Sequence, residues 1–275
     1  MNGSVDLDGQ VVPAHTVAAA TDDVAFFAGR GLYETLLADA GRLAFPAAHF
    51  DRLRTSASEL GLGEPPPDEE LTARIQRLLA RCELRDTAAR INLRWTGHSL
   101  LIRARPTRPD LEVLRRRGAS VITERCPREA ASPARHKWLD RPTLIRARAR
   151  AKSERVEEIL LLDAQDRLLE GASSSVFCVI GDRLSTPPLD GRLLPGITRS
   201  QICQPASARG MGVYEEAIRR TELLDAREVF LTSAVRMVVP VISIDGSTIG
   251  SGESGVVTQR LADELRWRAF ETSNG

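Results

Sequence analysis

Lys137 and Lys152 are the only lysines in a chain whose lysines and arginines together number 38. A chain built this way uses arginine wherever a plain surface cation will do. The chemical difference is acid–base: a lysine ammonium can lose its proton at accessible pH, and the neutral amine condenses with an aldehyde to give a Schiff base. Lys137 stands in SPARHKWLDRP (132–142), an irregular stretch flanked by tryptophan, which makes it a candidate for that chemistry. Composition alone also allows a chance surface survivor, and Lys152, on the solvated face of TLIRARARAKSER, reads as one.

Further along, Glu170 ends DRLLE and is followed by the small residues GASSS, where a planar ligand can approach the backbone closely. If pyridoxal phosphate is present, an acid at its ring nitrogen preserves the electron-sink character of the ring. An exposed strand-end glutamate is the plainer reading. LLPGITRS (193–200) puts a glycine before a helix start, so Ile197 and Thr198 offer free N–H groups and a hydroxyl to a phosphate, or simply form an ordinary helix cap. Arg52, on the helix face opposite Phe50 and Leu53, can clamp a phosphate or lie in solvent.

Other chemistries find little support. The net charge of +1 and the interspersed acids give no field for nucleic acid or anionic lipid, so neither partner is expected. The N-terminal MNGSVDLDGQ has no basic or apolar leader pattern, and no run approaches a membrane span, which points to a cytoplasmic protein. Cys82, Cys126, Cys178 and Cys203 lack C-x-x-C spacing, and the four histidines lack metal spacing, so no metal site is expected. GRGLYE lacks the third glycine of a dinucleotide fingerprint, and the run Ser173, Ser174, Ser175 lacks a nucleophile elbow.

The elements that must position these residues alternate in type. DVAFF, LYETLLAD and RLAF read as strands; AAHFDRLRTSASELGL and LTARIQRLLARC carry helical stripes; RINLRW and SLLIRAR read as strands paired around TGH. RPTRPD breaks the pattern, giving an N-terminal α/β domain over 1–105, a linker at 106–112 and a C-terminal α/β domain over 113–275 that carries Lys137. The second half reads as a strand at ASVITE, a helix at TLIRARARAKSER, strand pairs EEILLLD with RLLE and SVFCVI with RLSTP, a helix after PGITR, then TELLDA, EVFLTS, MVVPVISIDG and a closing amphipathic helix. Such mixing implies a two-domain α/β or α+β architecture.

Taken in order, these stretches resemble the class IV aminotransferases, the fold-type IV pyridoxal-phosphate enzymes. AGRGLYETLLADAGRLAFPAAHFDRL is similar to the family's opening block with its H-x-x-R-L helix, HKWLDR to its lysine segment, and EEILLLDAQDRLLEGASSSVF to its E-G-x-x-S-N-x-F signature. TPPLDGRLLPGITR and AREVFLTSAVRMVVPVISIDG resemble its last two blocks. The resemblance implies two α/β domains of the D-amino-acid aminotransferase type with the cofactor in the cleft between them, and a homodimer acting on a small-molecule amine. It implies pyridoxal phosphate on Lys137, with Glu170 at the pyridine nitrogen. Arg52, Ile197 and Thr198 would bind the phosphate, together with the backbone of Ser233 and Ala234.

Which reaction follows depends on finer wording. HKWLDR, TPPLDGRLLPG and Ala234 in FLTSAVRMVVPV resemble the lyase members more than the transaminases. The leading expectation is therefore a lyase converting 4-amino-4-deoxychorismate to 4-aminobenzoate and pyruvate, a step of folate biosynthesis. The alternatives are an aminotransferase of a D- or branched-chain amino acid, and a cofactor-binding protein without efficient turnover. Arg30, Ser175 and Pro142 also depart from the family pattern, and they bear on the substrate rather than on Lys137 or Glu170.

Overall fold

A computed structural model describes residues 3–17, 30–126, 133–208 and 212–270. Two compact units emerge, each with its own sheet and core: the described residues up to Arg108 together with His136–Asp140, and the described residues of Pro109–Arg135 and Arg141–Glu271. The chain crosses from one to the other between Arg108 and Pro109, within RPTRPD.

The first unit is a six-stranded antiparallel sheet covered by two helices. Its strands are β1 (Ser4–Leu7), β2 (Gln10–Pro13), β3 (Leu32–Asp39), β4 (Arg42–Leu43), β5 (Ala89–Trp95) and β6 (Leu100–Pro106), in the order β2-β1-β6-β5-β3-β4. Alternation sends Leu32, Leu36 and Ala38 of β3, Ile91 and Leu93 of β5 and Ile102 of β6 into one core. That core is closed by α1 (Pro46–Glu59) through Phe50 and Leu53, and by α2 (Asp68–Arg81) through Leu71, Ile75 and Leu78. Pro46 stands in the first turn of α1, where its missing N–H costs nothing. The strand expected at DVAFF (23–27) lies outside the described residues.

In the second unit a nine-stranded mixed sheet runs β12-β11-β10-β13-β14-β7-β8-β9, with β15 paired to β14. Its strands are β7 (Ala119–Arg125), β8 (Glu158–Leu162), β9 (Leu168–Gly171), β10 (Ser175–Ile180), β11 (Arg183–Thr186), β12 (Val213–Glu215), β13 (Glu228–Ser233), β14 (Met237–Ile244) and β15 (Ser247–Thr248). β7 pairs in parallel with both β14 and β8. Every residue of β8 is buried, as a strand covered on both faces requires: Leu160 and Leu162 enter one core cluster, Ile159 and Leu161 the other. The helices are α3 (Leu111–Arg117), α4 (Pro142–Ser153), α5 (Ile197–Ala208), α6 (Arg220–Leu224) and α7 (Val256–Phe270), so TELLDA opens within a short helix.

One placement departs from the sequence reading. Lys137 is expected with the second domain, yet its segment is bound to the first unit by backbone pairing. Leu32 bridges Trp138, the Tyr33 N–H donates to the Lys137 carbonyl at 2.8 Å, and the Leu139 N–H donates to the Gly31 carbonyl at 2.9 Å. Among the described residues, no helix is long and apolar enough to cross a membrane, and no cluster of His, Cys, Asp or Glu is arranged to hold a metal ion.

Candidate active site

Lys137 lies beside the start of β3, half-buried, with Nζ 4.5 Å from the centroid of the Tyr33 ring. Its neighbour His136 is buried and pinned by α1, with Ser56 Oγ 3.1 Å from Nδ1 and Glu59 Oε2 3.5 Å from Nε2. The lysine is thus tethered on both sides, by backbone pairing to β3 and by a side chain to α1. A fixed stem with a four-carbon arm gives an amine a defined reach. Lys152, by contrast, is exposed near the end of α4.

Arg52 does not lie in solvent. Its Nε donates to Glu34 Oε1 at 2.7 Å and a terminal nitrogen donates to Glu34 Oε2 at 2.8 Å, a bidentate pair. His49, one turn back on α1, meets the same Oε2 at 2.8 Å through Nδ1. Burial raises the pKa of the Glu34 carboxyl, but the Arg52 charge and the His49 hydrogen bond outweigh it and hold the group well below the usual carboxylate range. Burial likewise drives the His49 pKa down; its bond to Glu34 opposes this, while the charges of Arg52 and Lys137 add to it. His49 is therefore neutral near pH 7, and because an ionised carboxylate only accepts, Nδ1 carries the proton. The sequence reading missed Glu34, although its signal was there. The β3 alternation that buries Leu32 and Leu36 puts an acid on the same apolar face.

The second unit gathers the other candidates. Glu170 is a buried residue of β9, not the exposed strand-end acid of the plainer reading. Ile197 and Thr198 open α5, with Thr198 buried. Gly196, just before that helix, has no room for a side chain: a Cβ there would stand 2.6 Å from Ser175 Oγ. Ser175 begins β10 and pairs across the sheet with Thr232, the residue before Ser233. The helix start, the start of β10 and the end of β13 thus converge. Ser233 and Ala234 stand where β13 turns into β14, with Ser233 opposite Met237, whose φ of +58° makes the tight reversal.

Taken unit by unit, these residue types are ones that a phosphorylated aldehyde can use. There is a tethered amine, a buried carboxylate, and a helix N-terminus with its positive dipole end beside a glycine that a Cβ would block. The family model for amino-transferase class IV matches residues 31–244, which spans β3 through β14. The chain belongs to the class IV aminotransferases.

Relatives within this family extend over nearly its whole length. A putative branched-chain-amino-acid aminotransferase from Methanocaldococcus jannaschii is 29% identical over 272 residues, 94% of each chain. A D-alanine aminotransferase from Bacillus licheniformis is 29% identical over 276 residues, again 94% of each. Among solved structures, a hypothetical aminotransferase from Mycobacterium tuberculosis in its PLP-bound form superposes with a TM-score of 0.86 at 23% identity, covering 98% of this chain and all of that one (100%). A branched-chain aminotransferase from Thermoproteus uzoniensis gives 0.84 at 24% identity, covering 99% and 96%. At these identities the superpositions establish the fold. The mixed α/β, fold-type IV architecture implied by the sequence motifs is the architecture observed.

Proposed function

We propose that this class IV enzyme is a pyridoxal-phosphate-dependent aminotransferase acting on a D- or branched-chain amino acid. The observation that carries this reading is the placement of Lys137, tethered to β3 and α1 with Nζ over Tyr33, in a chain whose near-full-length relatives bear aminotransferase names. When bound, pyridoxal phosphate supplies the aldehyde and the electron-withdrawing ring on which amino-group transfer depends.

The chain's own residues divide the remaining work. Lys137 provides the amine that anchors the cofactor and, once released from it, the base that moves a proton. Glu170 provides a carboxylate for the ring nitrogen, and its burial shields that charge from water. Arg52, Ile197, Thr198 and the backbone of Ser233 and Ala234 hold the phosphate. Arg52 brings its charge already oriented by Glu34, so little ordering cost is left for binding. A homodimer, as the family resemblance implies, belongs to the same proposal and is checked by light scattering.

The lyase reading leads on motif wording alone and gives way here, because the two relatives that match 94% of the chain are named as aminotransferases of different amino acids. Ala234 in the turn after β13, the main motif in its favour, keeps it as the second reading. One preparation separates them. The reconstituted protein should absorb in the visible, and Lys137→Ala should abolish that band. An amino acid should bleach the band and a 2-oxo acid should restore it. Pyruvate release from aminodeoxychorismate with no 2-oxo acid present would establish the lyase instead. A stable band with neither response would leave a binding protein.

A further inference from the structure

Glu158 opens β8 fully buried, 1% exposed, and takes no part in the roles assigned above. Its Oε2 accepts hydrogen bonds from Ser173 Oγ at 2.8 Å, Ser174 Oγ at 3.1 Å and the Arg236 guanidinium at 2.5 Å. Arg236 also donates to Ser173 Oγ at 3.0 Å, closing the cluster. The loop side of this cluster is tight: Gly171, whose N–H donates to the Ser174 carbonyl, would bring a Cβ within 2.2 Å of Ser174 Oγ and 3.1 Å of Glu158 Cγ. On the turn side, Arg115 of α3 donates through Nε to the Arg236 carbonyl and through a terminal nitrogen to the Val235 carbonyl, both at 3.0 Å.

The cluster joins the side chains of two loops, one leading into β10 at Ser175 and the other following Thr232 of β13. Glu170 and Gly171 end β9, beside β8, whereas Ser233 and Ala234 precede β14, and β7 lies between β14 and β8. The β10–β13 ladder reaches the edge of both loops at Ser175 and Thr232, and the Glu158–Ser173–Arg236 cluster adds a side-chain link beyond it. Stability is a poor explanation for the pair, since a buried ion pair often gives way to apolar residues at no net cost. What such a pair does supply is a fixed geometry, and Arg115 adds direction to it by engaging the turn's carbonyls.

We propose that Glu158, acting through Arg236 and Ser173, is a positioning residue that fixes the Ser233–Arg236 turn relative to the Glu170–Ser174 loop, so that the turn's N–H groups meet the cofactor phosphate. This rests on the reading of that turn as a phosphate site. The test compares binding of pyridoxal phosphate and of pyridoxal, which keeps the aldehyde but lacks the phosphate. The protein is the full chain carrying Glu158→Leu with Arg236→Met, a change that removes both charges together. Thermal stability should stay near that of the wild type. Affinity for pyridoxal phosphate should fall about tenfold, the low end of what loss of groups that orient a binding residue costs, and affinity for pyridoxal should not change. Equal weakening of both ligands, or of neither, overturns the proposal. Should the double variant fail to fold, Arg115→Met decides: the same phosphate-selective loss supports the brace, and wild-type affinity refutes it. A wild-type protein that binds pyridoxal but gains nothing from the phosphate defeats the phosphate-site reading itself.

Discussion

Lys137 stands out in the sequence through composition rather than position: lysine is rare here, and its chemistry is the one arginine cannot copy. Glu34 was harder to find, because a single acid in an apolar strand is visible only once the strand's facing is known. Its partners make it consequential. Exchanging one carboxylate oxygen for an amide NH2 removes the charge that Arg52 pairs with and breaks its bidentate bond in a buried setting, a change that costs on the order of 3 kcal/mol when a buried pair is broken. Glu34→Gln is therefore expected to lower the melting temperature and to weaken pyridoxal phosphate more than pyridoxal, because Arg52 loses its orientation. The pH dependence has a definite sign. The Glu34 pKa is lowered on folding, so its contribution is present above the ordinary glutamate range and is lost as pH falls through the folded value. Thermal melts of the wild type and Glu34→Gln should converge in acid; a constant gap down to low pH would refute this account.

At the level of elements, periodicity located most strands and helices, and it failed where structure depends on turns. LDGQ makes the hairpin between β1 and β2, with Asp8 at φ +50° and Gly9 at φ +90°, a D-G reversal whose flanking strands are too short to show a period. The turn between β8 and β9 shows how such short links earn their rigidity. Asp163 Oδ1 accepts from the backbone N–H of Gln165 and Arg167, both at 2.9 Å, and Oδ2 from Arg167 Nε at 2.7 Å and an Arg192 terminal nitrogen at 2.9 Å. Burial pushes its pKa up, but these donors dominate and bring it down to about 2. Stability from Asp163 is thus complete above its unfolded pKa of about 3.9 and disappears as pH falls through about 2. Asp163→Asn is expected to cost on the order of 2 kcal/mol at neutral pH and to flatten that acid limb in urea titrations. An unchanged acid limb would assign the transition to other carboxylates.

At the scale of the whole chain, the family and its fold were readable from ordered motifs, whereas the pairing of the Lys137 segment with β3 was not. Nothing local in HKWLDR says that Trp138 will bridge Leu32, because that pairing links residues far apart in sequence. Chemistry at this scale follows from there being one candidate amine. Under the proposed function a single centre at Lys137 serves both the amino donor and the 2-oxo acceptor, while Lys152 lies exposed near the end of α4. Two substrates that share one centre take turns, and the first product leaves before the second substrate enters. Initial rates measured against donor at several fixed acceptor concentrations are expected to give parallel double-reciprocal lines. Each half-reaction should also proceed alone and stop after one equivalent per active site. Intersecting lines would mean that both substrates bind together, which one lysine cannot serve. Turnover with donor alone would restore the lyase, whose product leaves without any acceptor.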